Sequence, residues 1–278
     1  MSIAFIRGYN NRYSLSDLWG QAFGDDPEFI SDMYEAGYLN AEDIFVLTDD
    51  GRLVSAVFLP EYQINVGGET KKIRLLSCVA TDPSQRGKGF MSRMLPRVLQ
   101  IASEQCDAVC VIPVSEDLYS FYEKFGFTPG FYVSESCFDA ETQGNVLNLN
   151  LNVENPQKFY TAYRAKYSAE GCVFKSEERF LQAVKEYTHS TQPCEFCQIG
   201  TGFAFIQRGA AEITVREFAG IPPEDAGRTL SAKYGLPVRI QDLPGSSDNH
   251  LIAMIFTKDE VLLSLAKDEK LYLNCMYN

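Results

Sequence analysis

Histidine and tryptophan are nearly absent: the 278 residues include 2 His and 1 Trp. A tetrahedral metal site needs four ligands, and His189 and His250 are the only imidazoles available to complete one. No stretch approaches the ~18–20 uninterrupted apolar residues of a membrane span. The opening segment, Met1-Ser2-Ile3-Ala4-Phe5-Ile6-Arg7, lacks the charged start and long apolar run of a secretory signal. The expectation is a cytoplasmic protein with no membrane partner. Cations are also scarce, since 25 Lys+Arg against 37 Asp+Glu leave a net charge of −12. That balance argues against a broad nucleic-acid surface, because phosphate contacts need clustered Lys and Arg. It suits a cationic small molecule.

Hydrophobic residues make up 45% and charged residues 22%, so the chain can bury a sizeable core and is not disordered. At ~150 residues per domain the length suggests two domains. Eight cysteines are scattered through strand-like segments, which is no disulfide framework. Cys194-Glu195-Phe196-Cys197 has the spacing of half a zinc site or of a redox pair, but no second such pair follows it. No metal is expected, and the thiols are read as free.

The first half alternates helices and strands. Helices are expected from Ser14 and over 27–36, and strands over 44–48 and 52–59 flank the turn Asp49-Asp50-Gly51. A long apolar strand over 73–80 ends at Asp82-Pro83. Apolar spacings of three and four then mark a helix from Met91 to Ala102, with Pro96 expected to kink it. A buried strand over 108–114 and a helix over 116–125 follow, Gly126 stops that helix, and strands over 131–138 and 146–153 close the unit. Asn155-Pro156 is a plausible boundary, giving units of 1–152 and 153–278. The second shows helices over 156–167, 176–187 and 223–234 and strands over 202–207, 211–218, 238–241 and 251–256. Its order loosely repeats the first.

The chemistry concentrates in Val79-Ala80-Thr81-Asp82-Pro83-Ser84-Gln85-Arg86-Gly87-Lys88-Gly89-Phe90-Met91. A strand runs out, a loop with two glycines turns, and a helix starts. Backbone N–H groups there face one concavity and the helix dipole adds positive potential, which makes an anion-binding nest. The P-loop pattern would need Gly at 82 and Ser or Thr at 89, where Asp82 and Gly89 stand; the dinucleotide pattern would need Gly at 92, where Ser92 stands. Neither nucleotide fingerprint is present.

One strand and one helix further on lies Phe121-Tyr122-Glu123-Lys124-Phe125-Gly126-Phe127. Together the two blocks resemble the Gcn5-related N-acetyltransferase (GNAT) superfamily over roughly the first half of the chain. The resemblance implies an α/β fold with a mixed central sheet flanked by helices, followed here by a smaller GNAT-like domain without the coenzyme A loop. It implies acetyl-CoA as donor, with Arg86, Gly87, Lys88, Gly89, Phe90 and Met91 on the pyrophosphate. It also implies backbone bonds from Val79, Ala80 and Thr81 to pantetheine, and Tyr122 as the acid for the departing thiolate. Met91 departs from the small residue usual at its position, and Ser115 stands where many members carry Asn. A bulky residue in this loop is similar to the enhanced-intracellular-survival type, whose first domain is also followed by a degenerate copy.

No general base is legible in the fourth strand, which carries Ser77 and Cys78 where some members have Glu. The terminal carboxylate of Asn278 is the candidate by that partial resemblance. Asp25, Asp26 and Glu28 are candidates for holding a cationic substrate or relaying its proton. Cys78 as an acetylated nucleophile is disfavoured, because neither histidine is near in sequence to activate it. The expected activity is acetyl transfer from acetyl-CoA directly to a primary amine of a small cationic molecule. A non-catalytic acyl-CoA-binding or regulatory module, and transfer to a protein lysine or N-terminus, are the alternatives. Self-association into a homo-oligomer is left open. Gly220-Ile221-Pro222-Pro223 precedes the matching helix of the second half, and its two prolines remove amides that a phosphate nest needs.

Overall fold

A computed structural model of the chain describes residues 2–24, 26–35, 39–139, 146–189, 193–245 and 248–274. Asp25 and Asn278 lie outside the described residues. The first half contains β1 (Ile3–Arg7), α1 (Arg12–Phe23), α2 (Pro27–Glu35), β2 (Ile44–Asp49), β3 (Arg52–Phe58), β4 (Glu61–Val66), β5 (Glu69–Thr81), α3 (Phe90–Ser103), β6 (Ala108–Val111), α4 (Glu116–Glu123), β7 (Thr128–Phe138) and β8 (Leu149–Asn150). The second contains α5 (Tyr160–Tyr167), β9 (Val173–Phe174), α6 (Glu177–His189), β10 (Cys194–Ile199), β11 (Gly202–Arg208), β12 (Ile213–Ala219), α7 (Pro223–Tyr234), β13 (Val238–Asp242), β14 (Asn249–Thr257) and α8 (Glu260–Lys267).

All the strands join one 14-stranded mixed sheet in the order β1-β2-β3-β5-β6-β14-β7-β13-β12-β11-β10-β8, with β4 on β5 and β9 on β4. Its centre is palindromic. Reading outward from the antiparallel β14–β7 pair, each strand meets an antiparallel neighbour, β6 or β13, and then a parallel one, β5 or β12. Each half therefore sends its last long strand beside the other half's strands, and the sheet runs unbroken across residue 152. Helices cover both faces. On the first half, α1 and α2 seal one apolar cluster containing Trp19, Met33, Phe58 and Ala80. On the opposite face α3 and α4 seal another, containing Phe90, Met94, Leu95 and Tyr122.

Local chemistry explains most elements. Asn11 caps α1 through Ser14 N–H, and Gly24 in the left-handed region ends it. α3 runs on through Pro96, whose position is exposed, so the carbonyl left without a donor can meet water. The strand expected over 146–153 is only two residues long, Leu149–Asn150. Cys194 and Cys197 stand an odd number of residues apart in β10, which puts their side chains on opposite faces of the sheet; Cys197 packs beneath α7 and Cys194 with the α6 cluster. They cannot grip one ion together, and the seven described cysteines form no disulfide. No described helix is long and apolar enough to cross a membrane.

Candidate active site

β5 carries the site because it changes partners along its length. Its pairing with β6 runs from Ile73↔Ala108 to Leu76↔Val111 and stops there. β6 ends at Val111, and Pro113 soon after has no N–H with which to extend the ladder. On the other side β5 remains bound to β3 up to Ser55↔Thr81. Residues 77–81 are thus held along one edge and open along the other.

A bulge falls at the same place. Ser77 pairs with Phe58 and Ala80 with Ala56, so Cys78 and Val79 together face Val57, and Cys78 takes the left-handed φ of 48°. Backbone direction confirms the extra residue. Leu75 N–H donates to Pro60 O at 3.1 Å and Asp82 N–H to Val54 O at 2.9 Å, on the same edge of β5. In a regular strand, two residues an odd number apart would face opposite edges. Beyond the bulge, Ala80 therefore turns its backbone toward β3, while Thr81 turns its own into the opening, and Val79 lies in the bulge at the start of that opening.

Asp82 fixes where the strand ends. Its carboxylate accepts from Ser84 Oγ at 2.7 Å, from Ser84 N–H at 2.8 Å and from Arg52 Nη2 at 2.7 Å. The Ser84 hydroxyl and then the remaining donors hold its pKa below the usual carboxylate value. Past it, Gly87 and Gly89 have φ of 78° and 76°. A Cβ built at either meets no atom within 4 Å. Positive φ, and not crowding, calls for glycine here, and the space a side chain would occupy is open.

α3 begins at once, with Gly89 as its cap and no side-chain hydrogen bond capping its start. Its first backbone bond runs from Arg93 N–H to Gly89 O at 3.1 Å, so the amides before Arg93 have no partner within the helix. Arg86, Gly87, Lys88 and Gly89 are all exposed. Phe90 is buried, and Met91 packs into the same α3–α4 cluster, so the bulk of Met91 goes to the core. The loop fits a pyrophosphate, with free amides, a helix N-terminus and two cations.

Tyr122 is buried at 4% exposure in the cluster that also contains Leu76, Val111 and, at its edge, Val79. Phe121 and Phe127 meet its ring edge-on at 5.3 and 5.6 Å. Burial raises its pKa well above that of a free phenol, so it keeps its proton at neutral pH. Ser115 is the exposed N-cap of α4, and its hydroxyl makes no capping bond. Asp26 caps α2 by accepting Glu28 N–H at 2.8 Å, and Glu28 is exposed in the first turn.

The second half repeats the opening and fills it. β12 and β13 pair only as far as Val215↔Ile240, as β5 and β6 do to Leu76↔Val111. There Tyr167 Oη accepts Phe218 N–H and donates to Phe218 O, both at 3.1 Å, and Asn274 Nδ2 donates to Arg216 O. Pro222 caps the following helix and Pro223 begins it, so two amides of a nest are absent. The opening beside β12 is closed by the chain's own side chains. Sequence reasoning missed it because Tyr167 and Asn274 are far from β12 in the chain.

An opened strand leads straight into a glycine-turned helix start. Residues 13–130 match the family model of the acetyltransferase (GNAT) domain, and the chain has the GNAT fold. Among solved structures it is similar to a probable N-acyltransferase from Enterococcus faecalis, with TM-score 0.69 and 14% identity over 92% of this chain and 72% of that one. It is likewise similar to Eis1 from Mycobacterium abscessus, with TM-score 0.64 and 10% identity over 93% and 74%. A putative acetyltransferase from Pyrococcus horikoshii gives TM-score 0.58 and 12% identity over 99% and 94%. At these identities the likeness is one of fold. No curated protein matches the chain.

Proposed function

We propose that the protein transfers an acetyl group from acetyl-CoA directly to a primary amine of a small cationic molecule. The observation that carries this reading is the open edge of β5 at 77–81 leading straight into the glycine-turned start of α3. Acetyl-CoA supplies an activated thioester. Arg86, Lys88 and the loop amides bind its pyrophosphate, and Val79 and Thr81 offer backbone bonds along the opening.

The reaction forms a C–N bond and breaks a C–S bond. The neutral amine attacks the carbonyl carbon, the sulfur leaves with the bonding pair, and water carries away the amine's proton. Tyr122, kept protonated by burial, donates to the departing sulfur. Its raised pKa makes it a hydrogen-bond donor to the thiolate more than a source of a fully transferred proton. The cationic acceptor is supported by the net charge of −12 and by the exposed carboxylates of Asp26 and Glu28.

Two measurements test this. Saturating acetyl-CoA is expected to raise the melting temperature of the wild type and not of Gly89→Glu, which puts a carboxylate in the nest. Thiol release from acetyl-CoA across a panel of polyamines, aminoglycosides and peptides is expected with small polycations. An unchanged melting temperature excludes the donor, and release with peptides alone excludes the small acceptor.

A further inference from the structure

The single tryptophan of the chain, Trp19, is 2% exposed on α1, and its indole N–H donates to the backbone carbonyl of Cys78 at 3.2 Å. This bond reaches from the helix layer to the bulge of β5. Cys78 there holds a left-handed φ of 48° without being glycine, a conformation that persists only where surroundings hold it. The peptide bond after it is trans and planar, so Cys78 C=O and Val79 N–H point in opposite directions. Fixing one fixes the other.

The bulge sits between the two helix layers. Cys78 packs against the α1–α2 cluster that contains Trp19, whereas Val79 packs against the α3–α4 cluster that contains Tyr122. Asp82 N–H faces β3, which leaves Thr81 facing the β5–β6 opening, and Val79, in the bulge, stands where that opening begins.

We propose that Trp19 is a positioning residue for acyl transfer: it clamps the Cys78–Val79 peptide so that Val79 N–H faces the thioester carbonyl oxygen. The proposal rests on the acyl-CoA reading of the opening. As the amine nitrogen bonds to the carbonyl carbon, the carbonyl π pair moves onto oxygen, where Val79 N–H meets it. The pair returns as the C–S bond breaks and sulfur leaves. A donor fixed in advance stabilises that oxygen more than one that must first reorient. Without the indole N–H, the peptide is free to turn and relieve the positive φ.

The test removes the N–H and keeps the shape. One variant is Trp19→Phe; the other is the full-length protein with its one tryptophan replaced biosynthetically by β-(3-benzothienyl)alanine, in which sulfur stands for N–H. CoA and acetyl-CoA affinities, the ¹³C resonance of carbonyl-labelled acetyl-CoA, and turnover are measured on both. The expected result is CoA affinity within about twofold of wild type, a bound carbonyl resonance displaced toward that of free acetyl-CoA, and kcat down about 10- to 100-fold at unchanged acceptor KM. An unmoved carbonyl resonance in the benzothienyl protein, with CoA still bound, overturns the role of Trp19 alone. Parallel loss of CoA affinity and melting temperature in both variants makes Trp19 a core residue only and also overturns it. Failure of the wild type to bind CoA overturns the acyl-CoA reading and the proposal together.

Discussion

Lys175 Nζ lies 2.7 Å from Glu217 Oε1 inside the second half, with the two side chains only 7% and 5% exposed. The same ammonium donates to Asn274 O at 3.0 Å, so one cation ties β12 to the segment that closes its open edge. Burial raises the Glu217 pKa and Lys175 opposes the rise. In Lys175→Met only Lys166 is left to oppose the rise. A buried carboxylate without its partner is expected to cost about 3–5 kcal/mol, and Lys175→Met/Glu217→Leu to recover most of it. The pH dependence has a definite sign. A carboxyl whose folded pKa exceeds its unfolded value of about 4.3 contributes stability below that value and loses it as pH rises through the folded pKa. The single variant's deficit is therefore small near pH 4 and grows toward pH 7, as urea unfolding at several pH values would show.

Tyr122→Phe keeps the ring among Phe121 and Phe127 and removes only the hydroxyl. Stability and acetyl-CoA affinity are expected to stay near wild type, while kcat falls about 10²- to 10³-fold. Equal turnover of the variant removes Tyr122 from the acid role. A loss confined to acetyl-CoA affinity would place its hydroxyl in binding.

The loop was legible because its chemistry is local. Gly87 and Gly89 announce positive φ, and the apolar spacing from Met91 onward announces the helix, which begins at Phe90. Pro222-Pro223 excluded a second nest just as locally. The bulge at Cys78 was not legible, since cysteine gives no sign of a left-handed φ; the register of two ladders sets it. β14 was expected as a strand, but nothing in Leu251 to Phe256 tells which strands it will join. Its place between β6 and β7 depends on partners far away in the chain. β1 and α8 went unread, being short and at the chain's ends.

That strand exchange has a consequence at Gly130 of β7. A Cβ there would stand 2.7 Å from Ile255 Cγ2 and 3.1 Å from Ile255 N of β14. Backbone cannot yield as a flexible side-chain end can. Gly130→Val is expected to destabilise the protein by about 1–3 kcal/mol, measured by urea unfolding. For the same reason residues 1–152 alone would leave β6 and β7 without β14, exposing two apolar edges. That fragment is expected to aggregate or stay unfolded by circular dichroism, and recovery of a soluble, folded fragment would show the exchange to be dispensable.

Asp82 offers a test of the loop's anchor that does not depend on the acceptor. Its folded pKa is depressed, first by the Ser84 hydroxyl and also by Arg52. A depressed carboxyl contributes stability above its unfolded pKa of about 3.9, and that contribution is lost as pH falls through the folded value. Asp82→Asn keeps an oxygen for Ser84 but loses the charge that Arg52 meets at 2.7 Å. Because Arg52 is largely exposed, the loss at pH 7 is expected to be at most about 1 kcal/mol. The difference between variant and wild type should narrow as pH falls below about 4, where Asp82 takes up its proton first in the unfolded chain and only at lower pH in the folded one. Acetyl-CoA affinity at pH 7 should fall with it, because the loop amides are aimed from this anchor. A constant gap from pH 7 to pH 3 would mean that the Asp82 charge does not hold the end of β5.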